Sequence, residues 1–272
     1  MLILEQISFQ YSQQAPTLHE VSLELQADDF MALAGHNGSG KTTLTRLIMG
    51  LVKPTGGRIL LDGEDLAGRN TAQRARHIGY VFQNPDRQIF RDTVALEVAY
   101  GPEQLGFSAA ETSEAVTKAL QAVSLSNQAQ ADPRLLPKGL KQRVAIASAL
   151  AMKPRLLILD EPTSGQDAWE RRQLMELLQD LHRQGVAILM ITHDMELLAA
   201  HFKRVAVLGG GRKVFDGTVA DLFSGAHDLQ SWGLAEPALL QLSRLLGQPG
   251  TSDAQTFCQQ VLPLLKGTVC HE

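Results

Sequence analysis

The sequence predicts an α/β domain built around a largely parallel sheet. Short apolar runs alternate with longer segments of helical periodicity along most of the chain. The runs Phe30–Gly35, Arg155–Pro162 and Val186–Thr192 have continuous apolar centres, which is typical of strands that are covered on both faces. Glycine and proline residues separate the segments. Strands that alternate with helices in this way form parallel sheets.

The first thirty residues alternate in the manner of strands, on both sides of a turn at Gln13–Thr17. Pro154 stops the helix that precedes the second apolar run. The further predicted elements are the helix Lys41–Leu51, the strands Ile59–Leu61 and Ile78–Phe82, a mostly helical stretch Phe90–Asn127 punctuated at Gly101–Pro102 and Gly106, the helix Gly139–Met152, the helix Ala168–Arg183, a helix from Asp194 and a β-ribbon over Arg204–Phe215.

The character of the chain changes after Gly225. Two short amphipathic helices are predicted at Glu236–Leu246 and Ala254–Leu265, joined by a glycine-containing polar segment. We therefore expect a main domain at residues 1–225, with a helical subdomain at about 84–153. Residues 226–272 are expected to form a C-terminal helical appendix.

Composition limits the partners and the compartment. The chain has 272 residues and a formal net charge of −4, so it lacks the basic footprint of a duplex-binding protein, and we expect no nucleic acid partner. The two cysteines, Cys258 and Cys270, are expected to be free thiols in a cytosolic protein. The opening residues have neither a basic start nor a long apolar run, so no secretory signal is expected. Apolar runs such as Val186–Ile191 are too short to cross a bilayer.

A glycine-rich loop connects the strand Phe30–Gly35 to the following helix. The loop fits G-x-x-x-x-G-K-[ST] with a strand before it and a helix after it, the context that makes a chance glycine-rich turn a poor alternative. Lys41 would reach the β- and γ-phosphates of a nucleotide, and Thr42 would offer its hydroxyl to Mg²⁺. The candidate ATP-binding residues of the loop are Gly35, His36, Asn37, Gly38, Ser39, Gly40, Lys41, Thr42 and Thr43.

Two carboxylates, Asp160 and Glu161, stand at the end of a buried strand, where ligands of open α/β sheets bind. We expect Asp160 to hold Mg²⁺, largely through its water shell, and Glu161 to orient or polarise an attacking water. The alternative is an acidic pair that caps the element after Pro162, and the presence of the phosphate loop weakens it.

Three further residues become candidate site residues because the phosphate loop and the acidic pair are present. His193 follows the next strand and can hydrogen-bond to a γ-phosphate or to the attacking water, although a lone histidine there is more often structural. Gln83, just past another strand, can contact Mg²⁺ or the water, although a glutamine in a loop is usually only a surface residue without a functional role. Tyr11 can stack on adenine, and a half-buried strand aromatic is the nearly equal alternative.

Together these residues resemble the ATP-binding-cassette ATPases over about residues 1–225. Gly35–Thr43 is similar to the Walker A motif and Leu156–Asp160 to the Walker B strand, with Glu161 at the place of the catalytic glutamate. In the same comparison Tyr11 takes the place of the adenine-stacking aromatic, Gln83 that of the Q-loop and His193 that of the switch histidine. The residues Ser164, Gly165, Gln166 and Asp167 take the place of the D-loop. The resemblance implies a P-loop NTPase fold of ABC type, with a mixed sheet core, an antiparallel β subdomain and a helical signature subdomain.

Residues 81–106 and 233–247 also resemble the energy-coupling-factor transporter ATPases, which drive uptake of vitamins and of cobalt or nickel ions. This resemblance implies ATP hydrolysis with Mg²⁺, integral membrane partners and a peripheral place at the cytoplasmic face of the cell membrane. A soluble cassette protein of ribosomes or DNA repair and a non-catalytic regulatory subunit are the alternatives.

The sequence departs from the family at the signature motif. The family's LSGGQ corresponds to Leu136, Pro137, Lys138, Gly139 and Leu140. Pro137 is tolerated at a helix start but has neither a hydroxyl nor an N–H group. Gly139 keeps its amide, and Lys138 restores a positive charge without fixed geometry. We therefore expect this segment to bind the nucleotide of a partner ATPase chain only weakly. The expected assembly is a heterodimer with a second ATPase that carries an ordinary signature motif, and a homodimer is the alternative.

Overall fold

The computed structural model describes residues 1–12, 16–248, 250–251 and 254–267, and it confirms the α/β class. The strands are β1 Leu2–Gln10, β2 Pro16–Leu25, β3 Phe30–Ala34, β4 Gly56–Leu61, β5 Glu64–Asp65, β6 Ile78–Val81, β7 Leu156–Asp160, β8 Ala187–Ile191, β9 Arg204–Gly209 and β10 Arg212–Thr218. The helices are α1 Lys41–Ile48, α2 Thr71–Ala75, α3 Val94–Gln104, α4 Ala109–Ala122, α5 Lys138–Ala151, α6 Ala168–Arg183, α7 Met195–His201, α8 Val219–Leu222, α9 Ala238–Leu245 and α10 Ala254–Gly267.

The central sheet has six strands in the order β10-β9-β3-β8-β7-β6. All neighbours are parallel except β10, which pairs antiparallel with β9. The carboxyl ends of β3, β6, β7 and β8 therefore meet at one edge of the sheet. The loops that leave these four strands carry the predicted site residues, and the topology brings them to the same place.

Both faces of this sheet are covered. In β7, Leu156 and Ile158 belong to one buried cluster, and Leu157 and Leu159 belong to another. The first cluster also holds α1 and the four-stranded antiparallel sheet β2-β1-β4-β5. The second holds α3 to α7. Because successive strand residues point to opposite faces, burial on both sides explains the continuous apolar runs of the sequence.

The helices α3, α4 and α5 pack against one another within the stretch that was predicted to form a helical subdomain. The predicted interruption at Gly101–Pro102 is wrong, because α3 continues through Pro102 and ends only before Gly106, where φ is +81°. Pro102 lies in the last turn of α3, so its missing N–H removes a helical hydrogen bond only close to the end of the helix. The short helix α2 was not predicted, although Asn70 and Gln73 form a capping box that marks its start.

The C-terminal segment packs onto the main domain. Leu234 is buried in the cluster that holds α3 to α7, and Trp232 and Leu240 pack against the same cluster. A boundary at residues 225/226 remains a proposal. Cys258 is a free, exposed thiol, and Cys270 lies outside the described residues. Within the described part of the chain, no helix combines the length and apolarity that a membrane span requires.

Candidate functional site

The loop Gly35–Thr43 leaves β3 and enters α1 with a backbone that requires glycine at two positions. Gly35 has φ +146°, and a Cβ there would lie 2.3 Å from the carbonyl oxygen of Leu208. Gly40 has φ +101°, and a Cβ there would lie 2.5 Å from Cδ2 of Leu18. Gly40 provides no side-chain cap for α1. The first N–H groups of α1 are thus available to an anion at the helix N-terminus.

Lys41 is almost fully buried at the base of this loop. Its ammonium group donates to the carbonyl oxygens of Gly35 at 2.8 Å and His36 at 2.9 Å. Burial lowers the pKa of Lys41, and the nearby carboxylates Glu161 and Asp160 oppose part of that fall. The charge is therefore fixed in position before any ligand arrives.

A polar network links Thr42, Asp160 and Tyr80. Thr42 Oγ1 donates to Asp160 Oδ1 at 3.2 Å, and the Tyr80 hydroxyl donates to Asp160 Oδ2 at 3.2 Å. Burial raises the pKa of the Asp160 carboxyl, and these two hydrogen bonds oppose part of the rise. Burial and the charge of Asp160 raise the pKa of Tyr80. Tyr80 was not among the predicted site residues; a tyrosine in a buried strand must find a hydroxyl partner, and this was the available signal.

We expect Asp160→Asn to raise the melting temperature of the nucleotide-free protein by about 2–4 °C near neutral pH. The folded state raises the pKa of Asp160, so the carboxylate lowers stability as pH rises through the interval between its unfolded and folded pKa values. Asparagine removes the buried charge, and its amide can still bond both hydroxyl groups. The gain should shrink as pH falls toward about 4, where an ordinary aspartate is protonated. Thermal unfolding across pH measures it, with Asp28→Asn, at an exposed turn, as the control. A lower melting temperature for Asp160→Asn at neutral pH would contradict this account.

Glu161 stands one residue beyond β7, and its side chain joins two other strand ends. Gln83 Nε2 donates to Glu161 Oε2 at 2.8 Å, and His193 Nδ1 lies 3.0 Å from Glu161 Oε1. The backbone of Glu161 has φ +47°, an uncommon conformation for a residue with a side chain, and its N–H donates to Ile191 O at 3.1 Å. Left-handed backbone held in this way often marks a functional position.

These groups surround a cleft of about 520 Å³. Nine of the predicted site residues line it, and Thr17 joins them without having been predicted. The lining residues are Tyr11, Thr17, Asn37, Gly38, Gly40, Lys41, Thr42, Thr43, Gln83 and Glu161. Gly35 and His36 instead line a second cavity, of about 470 Å³, with His193 and Asp194. Ser39 is fully buried, and its N–H donates to His36 O at 3.2 Å inside the loop.

The segment Leu136–Leu140 does not line this cleft. Pro137, Gly139 and Leu140 line a separate cavity of about 270 Å³ with Gln166. Pro137 occupies the N-cap position of α5 with φ −54° and provides no side-chain hydrogen bond. Proline is tolerated there because its missing N–H would have had no partner in the helix. The segment predicted as the signature therefore lies beside Gln166 of the segment predicted as the D-loop.

The family of the chain follows from its match to a known protein family. A family model described as ABC transporter matches residues 18–164, more than half of the chain. The chain belongs to the ATP-binding-cassette (ABC) transporter family. The match includes the phosphate loop and ends at Ser164, just past Glu161.

Curated ABC relatives differ in how much of their length this chain spans. A Methanosarcina acetivorans protein named as an ABC transporter ATP-binding protein is 38% identical over 97% of this chain, and the chain spans 44% of it. One from Caldanaerobacter subterraneus is 41% identical over 89% of this chain, which spans 42% of it. The energy-coupling factor transporter ATP-binding protein EcfA2 of Clostridium perfringens is 38% identical, with 86% of this chain and 84% of that protein covered. The chain thus spans less than half the length of the first two relatives.

Solved ABC structures share the fold. The protein CbiO1 of Clostridium perfringens, described as part of the ABC transporter complex CbiONQ, superimposes with a TM-score of 0.78 at 30% identity, covering 90% of this chain and 98% of that one. A dimeric cassette, MJ0796 bound to ADP and phosphate, gives a TM-score of 0.72 at 27% identity, covering 80% of this chain and 99% of that one. The expected ABC fold is confirmed.

Proposed function

We propose that the chain is an ATP-hydrolysing subunit that powers a membrane uptake transporter of the energy-coupling-factor type, for a micronutrient such as a vitamin or a cobalt or nickel ion. The observation that carries the proposal is the position of Glu161. Its carboxylate lies at the rim of a phosphate-loop cleft and is held by Gln83 and His193. The names of the relatives favour transport over the ribosomal, repair and purely regulatory alternatives.

In this proposal the cleft binds ATP with its phosphates on the loop. Lys41 and the N-terminus of α1 supply positive charge to the β- and γ-phosphates. Tyr11 lines the cleft, packs edge-on against Phe9 with ring centroids 4.7 Å apart, and has its hydroxyl 3.4 Å from Thr43 Oγ1. These contacts fix the tyrosine ring, so one face can stack on adenine without further ordering.

The oxygen atoms of Thr42 and Asp160 fit a magnesium ion. They lie 3.2 Å apart and are the hard donors that Mg²⁺ prefers. Among the described residues no group of three or more His, Cys, Asp or Glu could hold a metal. Phosphate oxygens and water would complete the coordination, as is usual for Mg²⁺ in ATPases. A Mg²⁺ ion held by Thr42 and Asp160 would neutralise part of the charge that develops on the phosphates.

Glu161 is the proposed base or orienting group for the attacking water. Its carboxylate accepts from Gln83 and contacts His193, so the three groups can respond together when a γ-phosphate is present. Asp194, next to His193, pairs with Arg171 of α6 at 2.9 Å. That ion pair, which was not predicted, holds the loop that carries His193.

The proposed docking surface for the membrane subunit lies on the helical subdomain. Phe90 and Leu96 are 55% and 53% exposed, and Arg91 packs over the ring of Tyr100 at 4.7 Å. Beside them an apolar cavity of about 700 Å³ runs between α3 and α4. Exposed apolar groups of this kind mark interaction sites. Ile89 of the same segment is buried in the core, so it does not contribute.

Co-purification and crosslinking test this proposal. With Cys258 and Cys270 replaced by serine, single cysteines are placed at the exposed positions Arg87 and Arg91. We expect the chain to co-purify with small hydrophobic membrane proteins, and both cysteines to crosslink to one of them. A cysteine at Arg183, at the exposed end of α6, is the matched control and should not crosslink. Crosslinks from Arg183 alone, or the absence of any membrane protein in the purified complex, would contradict the proposal.

We also propose that the chain works as a dimer with a second ATPase. The absence of a hydroxyl group at Pro137 favours a heterodimer, because a sister cassette with an ordinary signature would complete the site over this chain's nucleotide. A homodimer with two slower sites is the alternative.

A further inference from the structure

The side chain of Lys138 contacts the D-loop of its own chain. Its ammonium group donates to the carbonyl oxygen of Ser164, the first D-loop residue. The next residue, Gly165, has φ +72°, and a Cβ there would lie 2.6 Å from Lys138 Nζ. The ammonium group therefore lies directly against D-loop backbone, at a position where a side chain would not fit.

A second contact joins the same two segments one residue further along α5. A Cβ on Gly139 would lie 2.7 Å from Oε1 of Glu170. Glu170 is in the first turn of α6 and forms a capping box with Asp167, the last D-loop residue. Consecutive residues at the start of α5 thus approach Ser164 of the D-loop and Glu170, which caps the end of that loop.

The D-loop is connected to Glu161 through the backbone. The N–H of Ser164 donates to Glu161 O at 3.1 Å, and the N–H of Gln166 donates to Thr163 O at 3.1 Å. The carbonyl group that Lys138 holds therefore belongs to the residue that closes the turn after Glu161. A shift of Ser164 would change the left-handed backbone of Glu161 and the direction of its carboxylate.

We propose that Lys138 is a positioning residue that acts on the catalytic site of its own chain. Its bond to Ser164 holds the D-loop, and through it Glu161 of the same chain, in the geometry for hydrolysis. This differs from the role that the sequence suggested, a free positive charge offered to the partner's nucleotide. The inference rests on the proposed hydrolysis at Glu161.

Dimers in which only one site can hydrolyse ATP distinguish an effect of Lys138 on the site of its own chain from an effect on the site of the partner chain. Two differently tagged cassettes are purified together, and replacement of the catalytic glutamate by glutamine in one of them confines turnover to the other. Lys138→Met is then combined either with an intact Glu161 in the same chain or with Glu161→Gln in the same chain. We expect kcat to fall by about tenfold in the first arrangement only, with KM for ATP unchanged, because the loss is one of alignment.

Two controls accompany this test. Lys138→Arg should restore kcat, since a guanidinium group can donate to the same carbonyl. Lys118→Met removes an exposed lysine of α4 that pairs with Glu114, and it should leave kcat unchanged. A loss of equal size in both arrangements, or in the second alone, would overturn the proposal, as would a fall in melting temperature that accounts for the loss. If dimers with both glutamates intact show no turnover, the proposed ATPase function fails instead.

Discussion

Replacing Glu161 with glutamine is expected to lower ATP turnover by about two orders of magnitude or more while ATP binding is retained. That range is the scale of lost general-base and electrostatic assistance. Glutamine keeps the length of the side chain and one carbonyl oxygen, so Gln83 can still donate to it. The substitution removes only the charge that would accept or orient a proton of the attacking water.

The measurement compares steady-state turnover with equilibrium binding of ATP in the assembled dimer. Glu176→Gln is the matched control, since Glu176 is an exposed carboxylate of α6. We expect near wild-type turnover from the control. Near wild-type turnover from Glu161→Gln would show that another group serves the water, and a parallel loss of ATP binding would show that Glu161 supports the cleft instead.

The sequence could predict that the site residues lie close together, because each of them follows the end of a strand. Gln83, Glu161 and His193 each follow a strand, and parallel strands bring such residues to one edge of a sheet. The bonds among them could not be predicted in the same way. That Gln83 bonds Glu161, and not the Thr42–Asp160 pair, depends on side-chain directions that a linear pattern does not encode.

The contacts made by the segment Ile89–Ala151 were the hardest to predict from the sequence. Ile89 follows a polar stretch that does not indicate which way its side chain points, and it packs into the core with Val94 and Val98 of α3. The contact between Lys138 and Ser164 joins residues 26 positions apart, on either side of β7. The tertiary fold places the start of α5 beside the start of α6 and so brings these residues together, and no local periodicity reports that placement.

Pro137→Ser is expected to raise hydrolysis at the nucleotide site of the partner cassette by about tenfold, the scale of one hydrogen bond to a charged group. Pro137 is exposed at the N-cap of α5, with φ −54° and ψ 154°, a conformation that serine adopts readily at helix starts. Serine there would add a hydroxyl group to a helix N-terminus that already favours phosphate. Lys138 is kept, because its bond to Ser164 serves this chain's own site.

The measurement again uses dimers with one working site. With Glu161→Gln in this chain, only the partner's site turns over, and there Pro137→Ser should raise kcat. With the partner's glutamate replaced, the same substitution should have little effect. Pro54→Ser is the control, because Pro54 is a partly exposed proline in the loop between α1 and β4. Fast hydrolysis by the purified single chain, unchanged by Pro137→Ser, would contradict the asymmetric dimer, since the signature would then be complete without a hydroxyl group.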